Sequence, residues 1–438
     1  MAIIIPANTL ASGGYAVDNS CRFATGSSAY MKKAQSGGNR EKWTYSTWIK
    51  KTLKVANNIL INPIGVNIAF NTTHTLYMDV SGVGRIFETN ALYRDVSAWY
   101  HIVVAFNTTD YSTVSAGQVK VYVNGVEQTF ASTVNMSAGF DSGMNESGVD
   151  IGIGRDESGD NNYADQYLAE TVLIDGQQLT PTSFGEFDED SGIWKPIDVS
   201  GLTFGNNGFY LDFEDSSALG NDAAGSNNFT VNNLTAIDQS TDTCTNNFAT
   251  MNPLAKGVDV VLSEGNLKTV NNRTTSSGNV SADVVSTFAV SSGKWYAEFK
   301  LTTTDNYAAV GVVTSDFYPH TSARGYGNSD AVAYRDLDGK KYVDGTDSSY
   351  GADFAAGDII GIALNLDDNQ TTFYKNGASQ GVISKTFSGS YYFFTSRIIA
   401  GSSTTWETNF GGTQSFTISS GNTDGNGYGN FEYAVPSS

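Results

Sequence analysis

Charge is scarce in this sequence: Asp, Glu, Lys and Arg together make up 16% of 438 residues, and what charge there is leans acidic, giving a net −20. A surface for nucleic acid or an anionic membrane needs clustered Lys and Arg, so neither is expected as a partner. Proline occurs seven times and cysteine twice, and the three histidines His74, His101 and His320 are too scattered for a zinc site. Cys21 and Cys244 fall in no metal or redox spacing; they read as two buried free thiols, with a disulfide between them left open. No apolar run approaches the ~20 residues of a membrane span. The opening MAIIIPANTL lacks a basic flank and is too short for a secretory signal, so export by that route is not expected.

What is abundant is Gly, Asn, Ser and Thr, with aromatics at 12%. That mixture suits many short strands joined by polar turns, and the length suits two domains. WTYSTWIKK (43–51) alternates Trp43, Tyr45, Thr47 and Ile49 with Thr44, Ser46, Trp48 and Lys50, the period of a sandwich strand. Strand signals then recur through NILINPIG, VNIAFN, TLYMDV, WYHIVVAFN, QVKVYVNG, VDIGIG and YLAETVLIDG. Asn124-Gly125 supplies the two positive-φ positions of a type I′ hairpin. Thr180-Pro181 reads as a helix start, so PTSFGEF is expected to be one short helix. Residues 196–257, rich in Asn, Asp and Ser, read as an irregular ordered connector containing a strand at FYLDF. A second set of strands follows from 258: DVVLSE, VVSTFAV, KWYAEFKL, YAAVGVV, AVAYRD, DIIGIALNLD, TTFYKNG, SYYFFTS and WETNFGG. Here too a hairpin, Asn376-Gly377, follows an apolar strand.

The second half resembles the SPRY domain. The residues that carry the likeness are GKWYAEFKL (293–301), AVGVVTSD (309–316), GDIIGIALNLD (357–367), FYKNG (373–377) and WETNFGG (406–412). WTYSTWIKK, WYHIVVAFN, VKVYVNGVE, IGIGR (151–155) and YLAETVLIDGQQLTP (167–181) are similar to laminin-G-like, concanavalin A-like jelly rolls. The whole order, including GFYLDFEDSSALGNDAAGSNNFTVNNL and TNNFATMNP, resembles a class of bacteriophage virion proteins described as tail-fibre, receptor-binding or capsid-associated. Set beside the longer members of that class, GNTDGNGYGNFEYAVPSS stops early.

The expected architecture is therefore all-β: two concanavalin A-like antiparallel β-sandwiches joined by an irregular connector. The expected boundaries are 1–195, 196–257, 258–415 and a Gly/Asn-rich tail, 416–438. The resemblance implies a location in the virion, contacts with other virion proteins, and a homo-oligomer, with a trimer favoured.

Few residues suggest chemistry. No nucleophile elbow, P-loop or dinucleotide fingerprint occurs. EFDED (186–190) echoes the carboxylate strand of jelly-roll glycosidases, but its last position is Asp190 and a solvated acidic turn is the plainer reading. His101, inside WYHIVVAF, reads as a structural histidine. RDESGDNNYAD (155–165) offers Asp156, Asp160, Asn161 and Asp165 as hard oxygens for Ca²⁺, against a plain polar loop. For recognition, Tyr318, His320, Arg324, Tyr326, Tyr334, Arg335, Tyr342 and Tyr350 gather aromatics and cations of the kind that stack on sugars or anchor protein epitopes, although Tyr334 and Tyr342 also read as packing between strands. Under the SPRY resemblance several of them fall in the loops of the binding face. The expected function is non-enzymatic attachment to a host-surface glycan or protein, with no required cofactor. A purely structural virion component, a depolymerase and a secreted adhesin are the rival readings.

Overall fold

The computed structural model describes residues 14–52, 58–109, 117–134, 136–157, 162–272, 282–314, 330–397 and 403–437. Those up to Asn247 form one compact unit and those from Phe248 onward a second. Among them the strands are antiparallel and the helical turns are short 3₁₀ segments.

In the first unit one sheet runs, edge to edge, Val126–Glu127, Val119–Val123, Trp99–Asn107, Lys42–Lys51, Gln166–Asp175, Ser20–Phe23 and Gln239–Ser240, and Phe209–Leu211 also pairs with Gln166–Asp175. The facing sheet runs Phe130–Thr133, Gly84–Thr89, Leu76–Val80, Val66–Phe70, Asn58–Pro63, Asp150–Ile153, Tyr30–Ala34 and Thr230–Asn232. Alternate residues of the two sheets meet in the core, among them Trp43, Tyr45, Ile49, Ile61, Ile68, Met78, Phe87, Val104 and Leu168. Trp43 lies flat on Phe106, ring centroids 4.8 Å apart.

The alternation in WTYSTWIKK predicts one wet face, yet everything from Trp43 to Lys51 is buried. A further layer covers the outer side, in two clusters: Trp48, Trp99, Tyr167, Trp194 and Cys244, then Val103, Tyr122, Val172, Phe184, Val199 and Tyr210. Much of this layer comes from the stretch expected to be a connector, which divides at Asn247. Residues 196–247 are built into the first unit by hydrogen bonds and by buried charge. Lys50 Nζ lies 2.6 Å from Asp242 and 2.8 Å from the Asn247 carboxamide oxygen, while Trp99 donates to the other Asp242 oxygen at 3.0 Å. Arg22 and Asp238 pair at 3.0 Å, also buried. The short helix expected over PTSFGEF is a 3₁₀ turn, Pro181–Ser183, followed by the strand Gly185–Phe187, which pairs with Trp194–Pro196. The Thr180 hydroxyl, at the expected cap, bonds Thr182 instead of the backbone. Both cysteines are free and buried, in different clusters.

In the second unit one sheet runs Val260–Ser263, Lys268–Asn272, Ser403–Asn409, Lys294–Thr303, Ile359–Asn365, Gln370–Lys375 and Ala378–Ser384. The other runs Met251–Lys256, Val284–Val290, Tyr391–Arg397, Ala308–Thr314, Ala331–Arg335, Lys340–Val343 and Thr346–Ser349. The inner strands follow the first unit's order in both sheets, while the edges differ: Gln239–Ser240 and Thr230–Asn232 come late in the first unit, Val260–Ser263 and Met251–Lys256 first in the second, and Phe130–Thr133 has no counterpart among the described residues. Ile359–Asn365 and Gln370–Lys375 stand where Trp99–Asn107 and Val119–Val123 stand, and Lys294–Thr303 takes the place of Lys42–Lys51. Ala297, Phe299, Val310, Val312, Ile360, Ile362, Phe373, Phe393 and Trp406 fill the core between the sheets.

The close approaches explain two glycines of the second unit. A Cβ on Gly311 would lie 2.1 Å from the Val332 carbonyl, and one on Gly361 would lie 2.4 Å from the Tyr296 hydroxyl. Residues 416–437, within the expected tail of 416–438, fold back onto the unit, with Phe431 fully buried.

Candidate recognition surface

Of the eight recognition candidates, Tyr318, His320, Arg324 and Tyr326 lie outside the described residues. Tyr334, Arg335, Tyr342 and Tyr350 lie along the meander Ala331–Arg335, Lys340–Val343, Thr346–Ser349, and strand alternation sorts them.

Tyr334 points inward and is fully buried. It packs against Phe354 at 4.8 Å and Phe373 at 5.4 Å and edge-on to Tyr350 at 5.5 Å, and its hydroxyl donates to the Ala352 carbonyl. Burial holds its phenol well above the ordinary range. It is a core residue, which removes it from the ligand set. Tyr350 accepts the Phe373 amide at 3.2 Å and donates to the Gly381 carbonyl; burial pushes its phenol up to about 12. The two tyrosines brace the loop that follows the meander.

Arg335 and Tyr342 point to the opposite side. The guanidinium centre lies 5.2 Å from the Tyr342 ring centroid, and Arg335 Nε donates to Asp338 at 3.1 Å. Burial raises the Tyr342 phenol. Beside them Lys340 pairs with Asp347 at 2.5 Å, and at the turn after Val343 Asp344 pairs with Lys385 at 2.6 Å. The edge strand Thr346–Ser349 is exposed along its whole length and carries short polar side chains, which discourages indiscriminate strand pairing. Tyr342 is itself buried, 8% exposed, among Ala255, Val285, Ala309, Ala333 and Phe394, so the platform this side offers is the half-buried Arg335 guanidinium lying over its ring. It can dock a carboxylate, an amide or a sugar face. Sequence reasoning singled out Arg335 and Tyr342 but not the charges beside them, because Asp338, Lys340 and Asp347 look like ordinary turn residues.

The remaining candidates separate in the same way. Asp160 and Asn161 of the calcium loop lie outside the described residues. Asp156 donates its amide to the Asn162 carbonyl at 3.2 Å, and the Asp165 carbonyl accepts from Thr52 at 2.5 Å. Among the described residues no group of three or more His, Cys, Asp or Glu is placed to hold a metal ion. In EFDED, Lys195 reaches both Glu186 at 3.3 Å and Asp188 at 3.2 Å on an exposed hairpin. Bonds from the Ser191 amide and hydroxyl, followed by Lys195, pull Asp188 down to about 2, the behaviour of a turn residue and not of a general acid. A cavity of about 370 Å³ in the first unit is lined by Phe87, Val119, Phe130, Met136 and Gln118, whose carboxamide is spent on the Met136 backbone.

His101 is fully buried between Trp48 and Trp194. The Trp194 indole donates to Nδ1 at 2.9 Å, so Nδ1 carries no proton and Nε2 donates to the Ser46 hydroxyl at 2.9 Å. Burial pushes His101 down to about 3 and fixes it in the neutral form.

Residues 294–413 match the SPRY domain family. No curated protein matches the chain. Solved structures similar to it include the SPRY domain of human HERC1, at 18% identity over 36% of this chain and 96% of that one, TM-score 0.31. Stonustoxin is similar at 18% identity over 37% of this chain and 27% of its own, TM-score 0.31. The TRIM65 PSpry domain is similar at 16% identity over 37% and 91%, TM-score 0.30. As a class, SPRY domains are protein-interaction modules. Residues 294–413 of this chain are a SPRY domain.

Proposed function

We propose that this chain is a non-enzymatic recognition protein whose SPRY domain engages its partner at the Arg335–Tyr342 platform. The carrying observation is the division of the meander: one pair of its aromatics braces the loop from inside, and on the other side Arg335 lies over the buried Tyr342 ring beside Asp338 and the Lys340–Asp347 pair. In this reading the partner is a protein or glycan on a host surface and the chain is displayed on a bacteriophage virion as a fibre, tip or decoration element. The motif order along the chain supports that setting, as does the laminin-G-like patterning of the first unit. Assembly as a trimer and a calcium ion in the loop at Asp156, Asp160, Asn161 and Asp165 belong to the same proposal.

The test compares purified wild-type chain with R335A for binding to host cells and for blocking phage adsorption. The proposal expects binding to fall at least tenfold in the variant while the melting temperature holds. Wild-type chain that neither binds nor blocks, together with absence of antibody label on intact virions, removes the attachment reading. Equilibrium sedimentation reads the trimer, and a melting temperature that rises with calcium and falls with chelator reads the ion.

A further inference from the structure

Beyond the matched SPRY residues, the chain from Ser419 to Val435 lies back across the side of the hairpin sheet that faces away from the core. Phe431 is fully buried and meets Tyr296 edge-on, 5.1 Å between centroids, with Ala363 and Val435 beside them. The Tyr433 ring covers Gly377 so closely that a Cβ there would lie 2.7 Å away. Asn422 and Phe431 exchange backbone hydrogen bonds at 2.8 Å, and the Asn430 amide donates to Gly411 at 3.0 Å. Glu432 holds the start of the segment through the Ser419 amide, at 2.6 Å.

What fastens this segment is one buried side chain. Glu298, fully buried in Lys294–Thr303, accepts the Glu432 amide at 2.9 Å and the Tyr433 amide at 2.9 Å. It also accepts Asn409 Nδ2 at 3.3 Å and the Tyr296 hydroxyl at 3.2 Å. Asn409 cannot reverse its carboxamide, since its oxygen accepts the Gly411 amide at 2.8 Å and its nitrogen donates to the Asn430 carbonyl at 2.8 Å. The Glu432 and Tyr433 amides and Asn409 Nδ2 can only donate, and the Tyr296 hydroxyl donates as well while Glu298 is ionised, so a carboxylate with two accepting oxygens satisfies all four. A protonated Glu298 finds an acceptor only by turning its Oε1–H to the Tyr296 oxygen, which reverses that bond and weakens the bond from the Tyr433 amide to the same oxygen. None of the ion pairs among the described residues involves Glu298, so four neutral dipoles alone hold the charge.

We infer that Ser419–Val435 is a detachable strap, latched by the Glu298 carboxylate, and that protonation of this latch releases the strap and uncovers the Tyr296–Gly377 face of the SPRY domain. Of the titratable groups around the latch, the Tyr296 hydroxyl favours its ionisation through the bond it donates, and no cation among the described residues sits against it. Tyr296 lies on its own strand, Tyr374 on the hairpin, Glu432 and Tyr433 on the strap and Asp358 at the start of the neighbouring strand, while Lys300 acts on Glu432. Burial raises the Glu298 carboxyl and the donated hydrogen bonds lower it, with burial the larger influence.

The experiment is amide hydrogen exchange on the full chain at pH 7.5 and 5.0, corrected for intrinsic rates. At pH 7.5 the amides of Glu432 and Tyr433 are protected. At pH 5.0 their protection falls at least tenfold while Ile360 and Ile362, in the same sheet, keep theirs. In E298Q, whose Nε2 meets a donor, the two strap amides are unprotected at both pH values. Should E298Q fail to fold, Y296F reads the same latch: with one donor fewer, release moves to higher pH. Strap protection that is independent of pH in wild type, or unchanged in E298Q or Y296F, overturns the inference.

Discussion

Asn124 and Asn376 stand in the same place in two different sandwiches. Each is in the left-handed region, at φ 49° and 48°, and is followed by a glycine at 77° and 79°. Asn124 donates its amide to the His101 carbonyl at 2.9 Å and accepts the His101 amide on its side chain at 2.8 Å. Asn376 does the same with Ile359, at 2.9 Å both times. In each hairpin an aromatic ring from further along the chain closes over the glycine, Trp194 over Gly125 and Tyr433 over Gly377.

Asn124→Ala and Asn376→Ala should each cost about 1–2 kcal/mol, since Ala loses the side-chain acceptor and tolerates positive φ poorly. The corresponding Asn→Gly changes should cost less, because Gly keeps the backbone angle. Urea unfolding of the four variants measures the difference; equal costs for Ala and Gly would show that the angle contributes nothing.

His101 should make the first unit sensitive to acid. Its folded pKa of about 3 lies below the ~6.5 of an unfolded histidine, so the native state binds fewer protons between those values. Stability is complete above about 6.5 and falls by about 1.4 kcal/mol per pH unit on the way down. His101→Gln should flatten that segment of the stability–pH curve. A curve with unchanged slope in the variant would assign the acid sensitivity elsewhere.

Lys51 gives a slope in a different window. It is buried, donates to the Tyr93 carbonyl at 2.9 Å and lies over the Phe70 ring at 4.0 Å, and burial pushes it down to about 7. An unfolded lysine titrates near 10.4, so between about 7 and 10 the native state again binds fewer protons and stability rises with pH. Lys51→Met should remove that rise while keeping the contact with Phe70. Chemical denaturation at pH 7, 8.5 and 9.5 checks it.

Asp242→Asn should destabilise the first unit by about 3–5 kcal/mol, because it strands the fully buried Lys50 ammonium. Lys50→Met with Asp242→Leu should recover much of the loss. Proteolysis after residue 235 in the single variant alone is the signature that this pair fastens 236–247 to the sandwich.

Most of the fold could be read from the sequence because its central strands are long and apolar. YLAETVLIDG, WYHIVVAFN, KWYAEFKL and DIIGIALNLD each became a strand, and both Asn-Gly pairs became hairpins. The short strands Met251–Lys256 and Thr346–Ser349, at the edges of their sheet, and Lys340–Val343, next to an edge, were missed, since strands this far out need little apolar alternation. The outer layer was missed for a different reason: Lys50 and Asp242 are 192 residues apart, and a lysine in an alternating strand reads as solvated until its partner is known. At the recognition surface, period-two alternation correctly separates Tyr334 from Arg335, but only after the strand is granted. Which side of the sheet is core was not legible.

The strand order has a consequence for synthesis. Ser403–Asn409, the last strand of the second unit, lies between Lys268–Asn272 and Lys294–Thr303 in the interior of its sheet. Until that strand leaves the ribosome, both neighbours present raw edges and the hairpin sheet exists as two halves. Gln166–Asp175 imposes the same delay on the first unit, between Ser20–Phe23 and Lys42–Lys51. Each sandwich thus closes in a late event, so a second unit interrupted before residue 409 is an aggregation-prone fragment even where the first unit is complete.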